Sequence, residues 1–201
     1  MPWSAAILAG GRSRRMGEDK ALLTIAGSPM VRRVAAALRA AGADDVTISA
    51  NRRNRGAVEE AVAGIEALVV EDEVPDSGPL EGIITALRHS RHDVTLIVSC
   101  DLLHPSPEAF RKLVGHEADV VVPVVDGHRQ WLHAAWHQRA TVHLQVLFDA
   151  GERAIRRAVE GLDVVWVHDL APKALADADT PSDLLNAGVE TGTSLPSDEH
   201  P

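Results

Sequence analysis

Residues 5–20 read Ala-Ala-Ile-Leu-Ala-Gly-Gly-Arg-Ser-Arg-Arg-Met-Gly-Glu-Asp-Lys, and they join a short apolar run to paired glycines and a cluster of cations. The apolar run predicts a buried strand, and the glycines allow the backbone to approach a ligand closely. Four basic residues lie within the nine positions from Arg12 to Lys20, although the net charge of the chain is -9. This local positive charge predicts a site for the linked phosphates of a nucleoside triphosphate.

The spacing of the glycines excludes two common phosphate-binding loops. A dinucleotide-binding turn requires G-x-G-x-x-G, which Gly10, Gly11 and Gly17 do not match. A P-loop requires Gly-Lys followed by Ser or Thr, whereas Lys20 follows an aspartate and precedes an alanine. The turn therefore predicts a phosphate site of another kind.

The composition is that of an ordinary globular chain of 201 residues, with 45% hydrophobic and 24% charged residues. This length predicts one domain over residues 1–189, and the Thr, Ser, Pro, Gly and acidic residues of 190–201 predict a flexible tail. The negative net charge argues against nucleic acid or an anionic membrane as a partner. Cys100 is the single cysteine, and no signal peptide or membrane span is visible, so we expect a cytoplasmic protein.

Short runs of branched apolar residues alternate with helical patterns along the chain. The predicted strands span residues 5–9, 45–50, 67–71, 94–99, 119–125 and 163–168. The predicted helices span residues 29–41, 57–63, 80–90, 106–115, 138–149 and 180–187. Several strands are continuously apolar, as strands buried on both faces are, so we predict a single-domain α/β fold with a mostly parallel sheet and helices on both faces. The Asp126-Gly127 turn predicts a small antiparallel insertion near residues 129–136.

Carboxylates near the ends of the predicted strands are the next candidates, because ligands of open α/β sheets bind beyond those ends. Asp101 directly follows the most apolar strand, and its burial is costly unless a cation pairs with it. Mg²⁺, which bridges phosphate oxygens and one or two carboxylates, is the predicted cation. Asp177 or Asp179 would be the second oxygen donor, although Asp179 equally fits the N-cap of the helix that Pro181 opens.

Gly78 and Pro79 open the predicted helix over 80–90 and form a further candidate element. Glycine allows a ligand to approach, and the helix N-terminus adds partial positive charge. A plain junction between loop and helix explains the proline equally well.

Four motifs occur in order along the chain: L-A-G-G-x-x-x-R-M-G-x-D-K from Leu8, E-D-x-x-x-x-x-G-P-L from Glu71, C-D at Asp101, and D-x-D-T-P from Asp177. This ordered set resembles the nucleotidyltransferases that attach a nucleotide to the molybdenum cofactor, and among them the guanylyltransferases. The resemblance covers residues 5 to about 187 and implies a Rossmann-like nucleotidyltransferase fold. It implies transfer of GMP from GTP to the terminal phosphate of molybdopterin, with or without bound molybdenum, and release of pyrophosphate.

The resemblance also implies roles for individual residues. Lys20 holds the phosphates with help from Arg15, and Asp101 is the Mg²⁺ ligand. The residues that line the nucleotide or contact its base and ribose are Leu8, Ala9, Gly10, Gly11, Ser49, Asn51, Asp72 and Gly78. Because the acceptor is a phosphate monoester that is largely ionised at neutral pH, no general base is required.

The choice of base depends on Asp72. Guanine presents N1–H and N2–H₂ side by side, so that one carboxylate can accept both, whereas cytosine presents one exocyclic donor beside acceptors. This favours GTP. The family's guanylyltransferases often carry N-x-N-T-P where this chain has Asp177 and Asp179, and related cytidylyltransferases can carry D-x-D-T-P, so the second metal contact stays open.

Arg129 and Arg153 are the candidates for binding the pterin phosphate, since Gly-Glu-Arg153 partly matches a G-E-R-R element of the family. Ala154 replaces the second arginine of that element. His133 and His137 lack the Glu of H-E-x-x-H, which favours packing or contact with the pterin edge over a zinc site.

The partners implied are GTP, molybdopterin or the molybdenum cofactor, and enzymes that synthesise or accept that cofactor. Three alternatives remain open at this stage. They are cytidylyl transfer to molybdopterin, nucleotidyl transfer to another small phosphate, and a non-catalytic protein that binds and carries a nucleotide or cofactor.

Overall fold

The computed structural model describes residues 1–10, 19–71, 78–178 and 180–186, and a sheet of eight strands lies at their centre. The strands of the described residues are β1 (Ser4–Leu8), β2 (Thr24–Ile25), β3 (Ser28–Pro29), β4 (Asp45–Ala50), β5 (Leu68–Glu71), β6 (Val94–Ser99), β7 (Val120–Val125), β8 (His128–Arg129), β9 (Ala135–His137) and β10 (Val164–Val167). The order in the main sheet is β10-β7-β9-β6-β1-β4-β5, with β8 paired to β7, while β2 and β3 form a separate hairpin.

Strand β1 lies in the middle of the sheet and pairs in parallel with β4 and β6, so that Ile7 faces Ile48 on one side and Val98 on the other. Strand β9 runs antiparallel to both β6 and β7, and those two strands therefore share one direction. The carboxyl ends of β1, β4, β5, β6, β7 and β10 consequently lie along one edge of the sheet, called the carboxyl edge below.

Helices cover both faces of the sheet, as predicted. They are α1 (Met30–Ala41), α2 (Arg55–Ala61), α3 (Pro79–His89), α4 (Pro107–Leu113), α5 (Ala140–Asp149), α6 (Ile155–Ala158) and α7 (Pro181–Asn186). Alternate residues of β1 point into separate cores, because strand side chains alternate between faces. Ile7 packs in the core that holds Leu38 of α1 and Phe110 of α4, and Ala6 packs in the core that holds Leu80 of α3 and Leu144 of α5.

Every predicted strand and helix that bounds the main layers is present, with ends within two residues of the prediction. The antiparallel insertion is also confirmed, but the structure divides the predicted segment 129–136 into β8, a 3₁₀ turn over Trp131–His133 and β9. The hairpin of β2 and β3 was not predicted. Its two-residue strands are too short to show alternation, and its turn places Ala26 and Gly27 at positive φ.

Among the described residues, no helix combines the length and the apolar character needed to cross a lipid bilayer.

A charged contact joins β7 to β10 at the edge opposite the carboxyl edge. The Asp119 carboxylate accepts hydrogen bonds from Arg139 Nε and, at 2.9 Å, from the Asp163 backbone N–H. The bond from Arg139 is the main cause of a lowered pKa for Asp119, and the bond from the Asp163 backbone adds to it. A carboxyl whose pKa is lower in the folded than in the unfolded chain stabilises the fold above its unfolded pKa.

We predict that Asp119→Asn lowers the free energy of unfolding by about 1 kcal/mol at neutral pH, because a charge-assisted bond to a mostly exposed arginine is lost. Urea unfolding should show the same difference from wild type down to pH 5. The difference should shrink below about pH 4, as the wild-type carboxylate itself becomes protonated. Glu160→Gln, at an exposed acidic position, is the control and should leave stability unchanged. A loss that is independent of pH would contradict the charged contact.

Candidate active site

The ion pair between Lys20 and Asp101 is the centre of the candidate site. Lys20 Nζ lies 2.8 Å from Asp101 Oδ2, and the two side chains are 19% and 11% exposed. Ser99, the last residue of β6, donates its hydroxyl to the other carboxylate oxygen, Oδ1. Asp101, the carboxylate that the sequence analysis proposed as a site residue, is thus buried at the carboxyl edge. Its compensating cation in the structure is Lys20, whereas the sequence analysis assigned that role to Mg²⁺.

Asn54 holds both ends of the segment that contains the paired glycines. Its side-chain amide donates to the Ala9 carbonyl at 2.9 Å and to Asp19 Oδ2 at 2.5 Å, and Asn54 is only 5% exposed. Asp19 also accepts from the Ala21 N–H and caps the 3₁₀ turn Lys20–Leu22. Asn54 therefore fixes the end of β1 against the residue that precedes Lys20. The sequence analysis gave Asn54 no role, although its place just beyond β4 satisfies the rule that selected Asp101.

Several backbone groups proposed to line the nucleotide are engaged within the fold. The Ala9 N–H donates to the Ser49 carbonyl, and the Leu8 carbonyl accepts from the Cys100 N–H. Asn51 shapes the turn after β4, since its Oδ1 accepts two backbone N–H groups and its Nδ2 reaches the Gly10 carbonyl at 3.5 Å. Ser49 is 4% exposed. These residues lie at the predicted place, and the contacts described here assign them to building the turn.

Asp177 lies beside Asp101 because the backbone around it pairs with the backbone that follows β6. Leu102 and Asp177 form an isolated antiparallel bridge, and the Ala178 N–H donates to the Asp101 carbonyl at 3.0 Å. The Asp177 carboxylate accepts from His133 Nε2, with oxygens at 3.0 and 3.1 Å. The structure thus places side by side the backbone segments of two of the carboxylates proposed as metal ligands, which are 76 positions apart in the sequence.

The donor chemistry of this pair fits Mg²⁺. Magnesium binds oxygen ligands, keeps several waters, and uses one or two carboxylates together with substrate phosphates. Asp101 and Asp177 supply two carboxylates on adjacent backbone segments. No cluster of three or more metal-ligating side chains occurs among the described residues.

Cys100 lies in the sequence between Ser99 and Asp101, and its thiol is chemically inert. Burial, followed by the neighbouring Asp101 carboxylate, raises the pKa of the Cys100 thiol well above its ordinary value. A thiol that stays protonated is neither a nucleophile nor a metal ligand.

The start of α3 packs directly against the end of β1. Gly78 precedes the helix at a φ of 87°, which favours glycine, and Pro79 is its first residue. A Cβ added to Gly82 would meet the Leu8 side chain at 3.3 Å. Gly78 and the end of β1 therefore border the same region of the carboxyl edge.

The two candidate acceptor arginines lie in separate cavities. Arg129 places its guanidinium 4.6 Å from the ring centre of Trp166 and 5.9 Å from that of Trp131, beside a cavity of about 490 Å³ at the ends of β7 and β10. Arg153 lies 3.9 Å from the ring centre of Phe148 and lines a cavity of about 580 Å³ after α5. The sequence analysis found the arginines but not the aromatic rings beneath them.

Four proposed site residues lie outside the residues that the structure describes, namely Gly11, Arg15, Asp72 and Asp179. Thr180, which follows Asp179 in the sequence, forms the N-terminal cap of α7. The Thr180 hydroxyl accepts from the Asp183 N–H at 3.2 Å, and Asp183 Oδ2 accepts from the Thr180 N–H at 2.8 Å, which is a reciprocal capping arrangement.

Comparison with known proteins identifies relatives along nearly the whole chain. Residues 5–171 match the model of the MobA-like NTP transferase domain. A probable molybdenum cofactor guanylyltransferase of Pelotomaculum thermopropionicum is 35% identical over 192 residues, which cover 91% of this chain and 90% of that one. A protein of the same description from Methanothermobacter thermautotrophicus is 30% identical, covering 80% of this chain and 84% of the other.

Solved structures share the fold. A molybdopterin-guanine dinucleotide biosynthesis protein A from Archaeoglobus fulgidus superposes with a TM-score of 0.73 at 24% identity, covering 92% of this chain and 96% of that one. A 2-C-methyl-D-erythritol 4-phosphate cytidylyltransferase from Thermus thermophilus also has a TM-score of 0.73, at 16% identity, covering 94% of this chain and 98% of the other. The mostly parallel sheet and the ordered motifs agree with these matches. The family match and these relatives show that the chain belongs to the MobA-like NTP transferase family and is a nucleotidyltransferase of molybdenum cofactor biosynthesis.

Proposed function

We propose that this protein transfers GMP from GTP to the terminal phosphate of molybdopterin and releases pyrophosphate. The observation that carries the proposal is the Lys20–Asp101 pair at the carboxyl edge, beside the end of β1. Support for guanylyl transfer comes from curated relatives at 30–35% identity, which are described as probable molybdenum cofactor guanylyltransferases.

The reaction needs positioning and charge neutralisation more than proton transfer. An acceptor phosphate oxygen attacks the α-phosphorus of GTP, the bond from that phosphorus to the bridging oxygen breaks, and the electron pair leaves with pyrophosphate. The attacking monoester has a second pKa of about 6, so that it is already ionised at neutral pH. The inert Cys100 thiol is consistent with a mechanism that uses no protein nucleophile.

Lys20 neutralises the phosphates in this proposal. Its ammonium carries three N–H donors, so contact with Asp101 is compatible with contact to a phosphate oxygen. Arg15 is the proposed second cation. A preorganised cation in a site with little water stabilises developing negative charge far better than one in bulk water.

Asp101 and Asp177 are the proposed ligands of Mg²⁺. When bound, the ion would neutralise charge on the phosphates and on the departing pyrophosphate. Asp101 keeps one oxygen bonded to Ser99 and the other to Lys20. These bonds hold the carboxylate in place, and Asp179 remains a further proposed ligand.

The proposed preference for GTP depends on Asp72, whose carboxylate would accept the paired N1–H and N2–H₂ of guanine. Asp72 follows Glu71, the last residue of β5, and β5 ends at the carboxyl edge next to β4. This neighbourhood supports placing the base on the β4–β5 side and the phosphates near β1 and β6.

The acceptor would lie on the other side of the site, toward β7 and β10, with Arg129 binding its phosphate. Contact with the rings of Trp166 and Trp131 restrains the guanidinium of Arg129, whose N–H groups can donate to a phosphate. Arg153 is the second proposed contact, although its Nη1 donates to the Phe148 and Glu152 carbonyls.

Nucleotide choice is the first test. Purified protein with molybdopterin, Mg²⁺ and each nucleoside triphosphate should release pyrophosphate fastest with GTP, by at least about 10-fold in kcat/KM over CTP, as the loss of a hydrogen-bonded base contact implies. Preference for CTP would contradict guanylyl transfer and favour the cytidylyl alternative. Binding without turnover of any nucleotide would favour a carrier.

The central ion pair is the second test. Lys20→Ala and Asp101→Ala should each lower kcat by at least about 100-fold, the scale lost with one preorganised electrostatic partner. The exposed pair of Lys112 and Asp169, 3.1 Å apart, is the matched control, and alanine at either position should leave turnover unchanged. Near-normal turnover in a folded Lys20→Ala or Asp101→Ala protein would refute the assignment.

The clamp made by Asn54 is the third test. Asn54→Leu removes both bonds that hold the glycine segment, so kcat/KM for GTP should fall at least about 10-fold as the phosphate contacts lose their alignment. Steady-state kinetics measures this, with thermal unfolding to follow stability. Arg53→Ala, at the exposed neighbouring position, is the control. An unchanged kcat/KM would show that the clamp has no part in binding the phosphates.

A further inference from the structure

His133 is the most buried titratable side chain among those that contact the described part of the site, with 1% of its surface exposed. It is the last residue of the 3₁₀ turn Trp131–His133, and a single residue, Ala134, separates it from β9. The mechanism above does not use it, and the sequence indicated only packing or contact with the pterin edge for this histidine. Its two ring nitrogens nevertheless contact two different parts of the site.

The partners of the ring determine which nitrogen carries the proton. The Ser99 backbone N–H points at Nδ1 at 3.5 Å, so Nδ1 acts as an acceptor. The proton is therefore on Nε2, which donates to the Asp177 carboxylate at 3.0 Å. The ring is held at one nitrogen by the backbone of β6 and presents its donor to Asp177 from the other.

The side chain of Asp177 has rotational freedom that its backbone contacts do not remove. Its backbone is held beside Asp101 by the bridge with Leu102 and by the bond from the Ala178 N–H. Its side chain, 23% exposed, could still rotate about χ1 and χ2. Both carboxylate oxygens lie within 3.1 Å of His133 Nε2, and this contact restricts the rotation.

We propose that His133 is a positioning residue that acts through Asp177, holding this carboxylate where it and Asp101 bind one divalent cation. The inference rests on the proposed function, since it assigns the cation of the nucleotidyl transfer to these two carboxylates. A carboxylate offers about four lone-pair positions, so a bond from His133 leaves oxygen ligands available for a metal ion.

The test compares two amide replacements that differ in reach. His133→Gln places an amide donor near the position of Nε2, whereas His133→Asn has the same chemistry but falls one methylene short of Asp177. Binding of Mn²⁺ to the protein with bound GTP is measured by electron paramagnetic resonance. His133→Asn should weaken Mn²⁺ binding at least about 10-fold, as loss of a bond to a metal ligand does, and His133→Gln should stay nearer to wild type. His137→Gln, on the following strand, is the control.

A double-mutant cycle shows whether the effect passes through Asp177. Asp177→Asn alone should weaken Mn²⁺ binding, and adding His133→Asn should weaken it no further. Losses that multiply, or equal Mn²⁺ affinity in His133→Asn and His133→Gln, would overturn the proposal and leave His133 a packing residue. Wild-type protein that binds no Mn²⁺ with GTP would also overturn it.

Turnover with GTP and molybdopterin is measured on the same proteins. Absence of guanylyl transfer by the wild type would refute the proposed function, while the Mn²⁺ measurements would still decide the role of His133. Thermal unfolding of each variant separates loss of metal binding from loss of the fold. A purely structural histidine would lower stability in both amide variants and would not distinguish them in Mn²⁺ affinity.

Discussion

The ion pair between Lys20 and Asp101 is the interaction on which the rest of the site depends. It joins Lys20 to Asp101, which lies two residues beyond the end of β6, and both side chains are largely removed from water. A buried charge that loses its partner is strongly destabilising, so the pair holds the two segments together. In the proposed reaction each member has a second natural partner, because phosphates attract the ammonium and a divalent cation attracts the carboxylate. The ion pair can therefore keep the site ordered before a ligand arrives, and its two side chains can then bind the phosphates and the cation.

Beneath these charges lies a layer of neutral polar side chains that set their positions. Asn54 joins the end of β1 to Asp19, and His133 joins β6 to Asp177. Neutral groups suit this task because burying a hydrogen-bonded amide or imidazole costs much less than burying a charge. The charged groups stay nearer the surface, where phosphates and cations can reach them.

The proposed binding regions are divided along the carboxyl edge. The side with β1, β4 and β5 carries the end of β1 together with Ser49 and Asn51, which are proposed to contact the nucleotide, and the side with β7 and β10 carries Arg129 beside two tryptophans. Strand β9 makes this division possible. By running antiparallel between β6 and β7 it keeps their carboxyl ends on the same edge and brings His133 into the site.

The sequence by itself determined the layers of this protein and the residues whose chemistry is local. Apolar runs alternating with helical patterns predicted the main strands and helices within two residues, and the position of Asp101 after an apolar strand predicted a buried carboxylate that needs a cation. The spacing of apolar residues indicates which face of a single strand or helix is buried, and this information is sufficient to predict the individual elements.

Only the tertiary structure decided which distant side chains meet. Strand pairing placed β9 between β6 and β7, the bridge between Leu102 and Asp177 put the backbone of Asp177 beside that of Asp101, and packing made Lys20 the partner of Asp101. Asn54 was missed, and the contact of His133 with Asp177 was not predicted, for the same reason. Their hydrogen bonds span between 34 and 45 positions of the chain, and no local pattern records contacts over that separation.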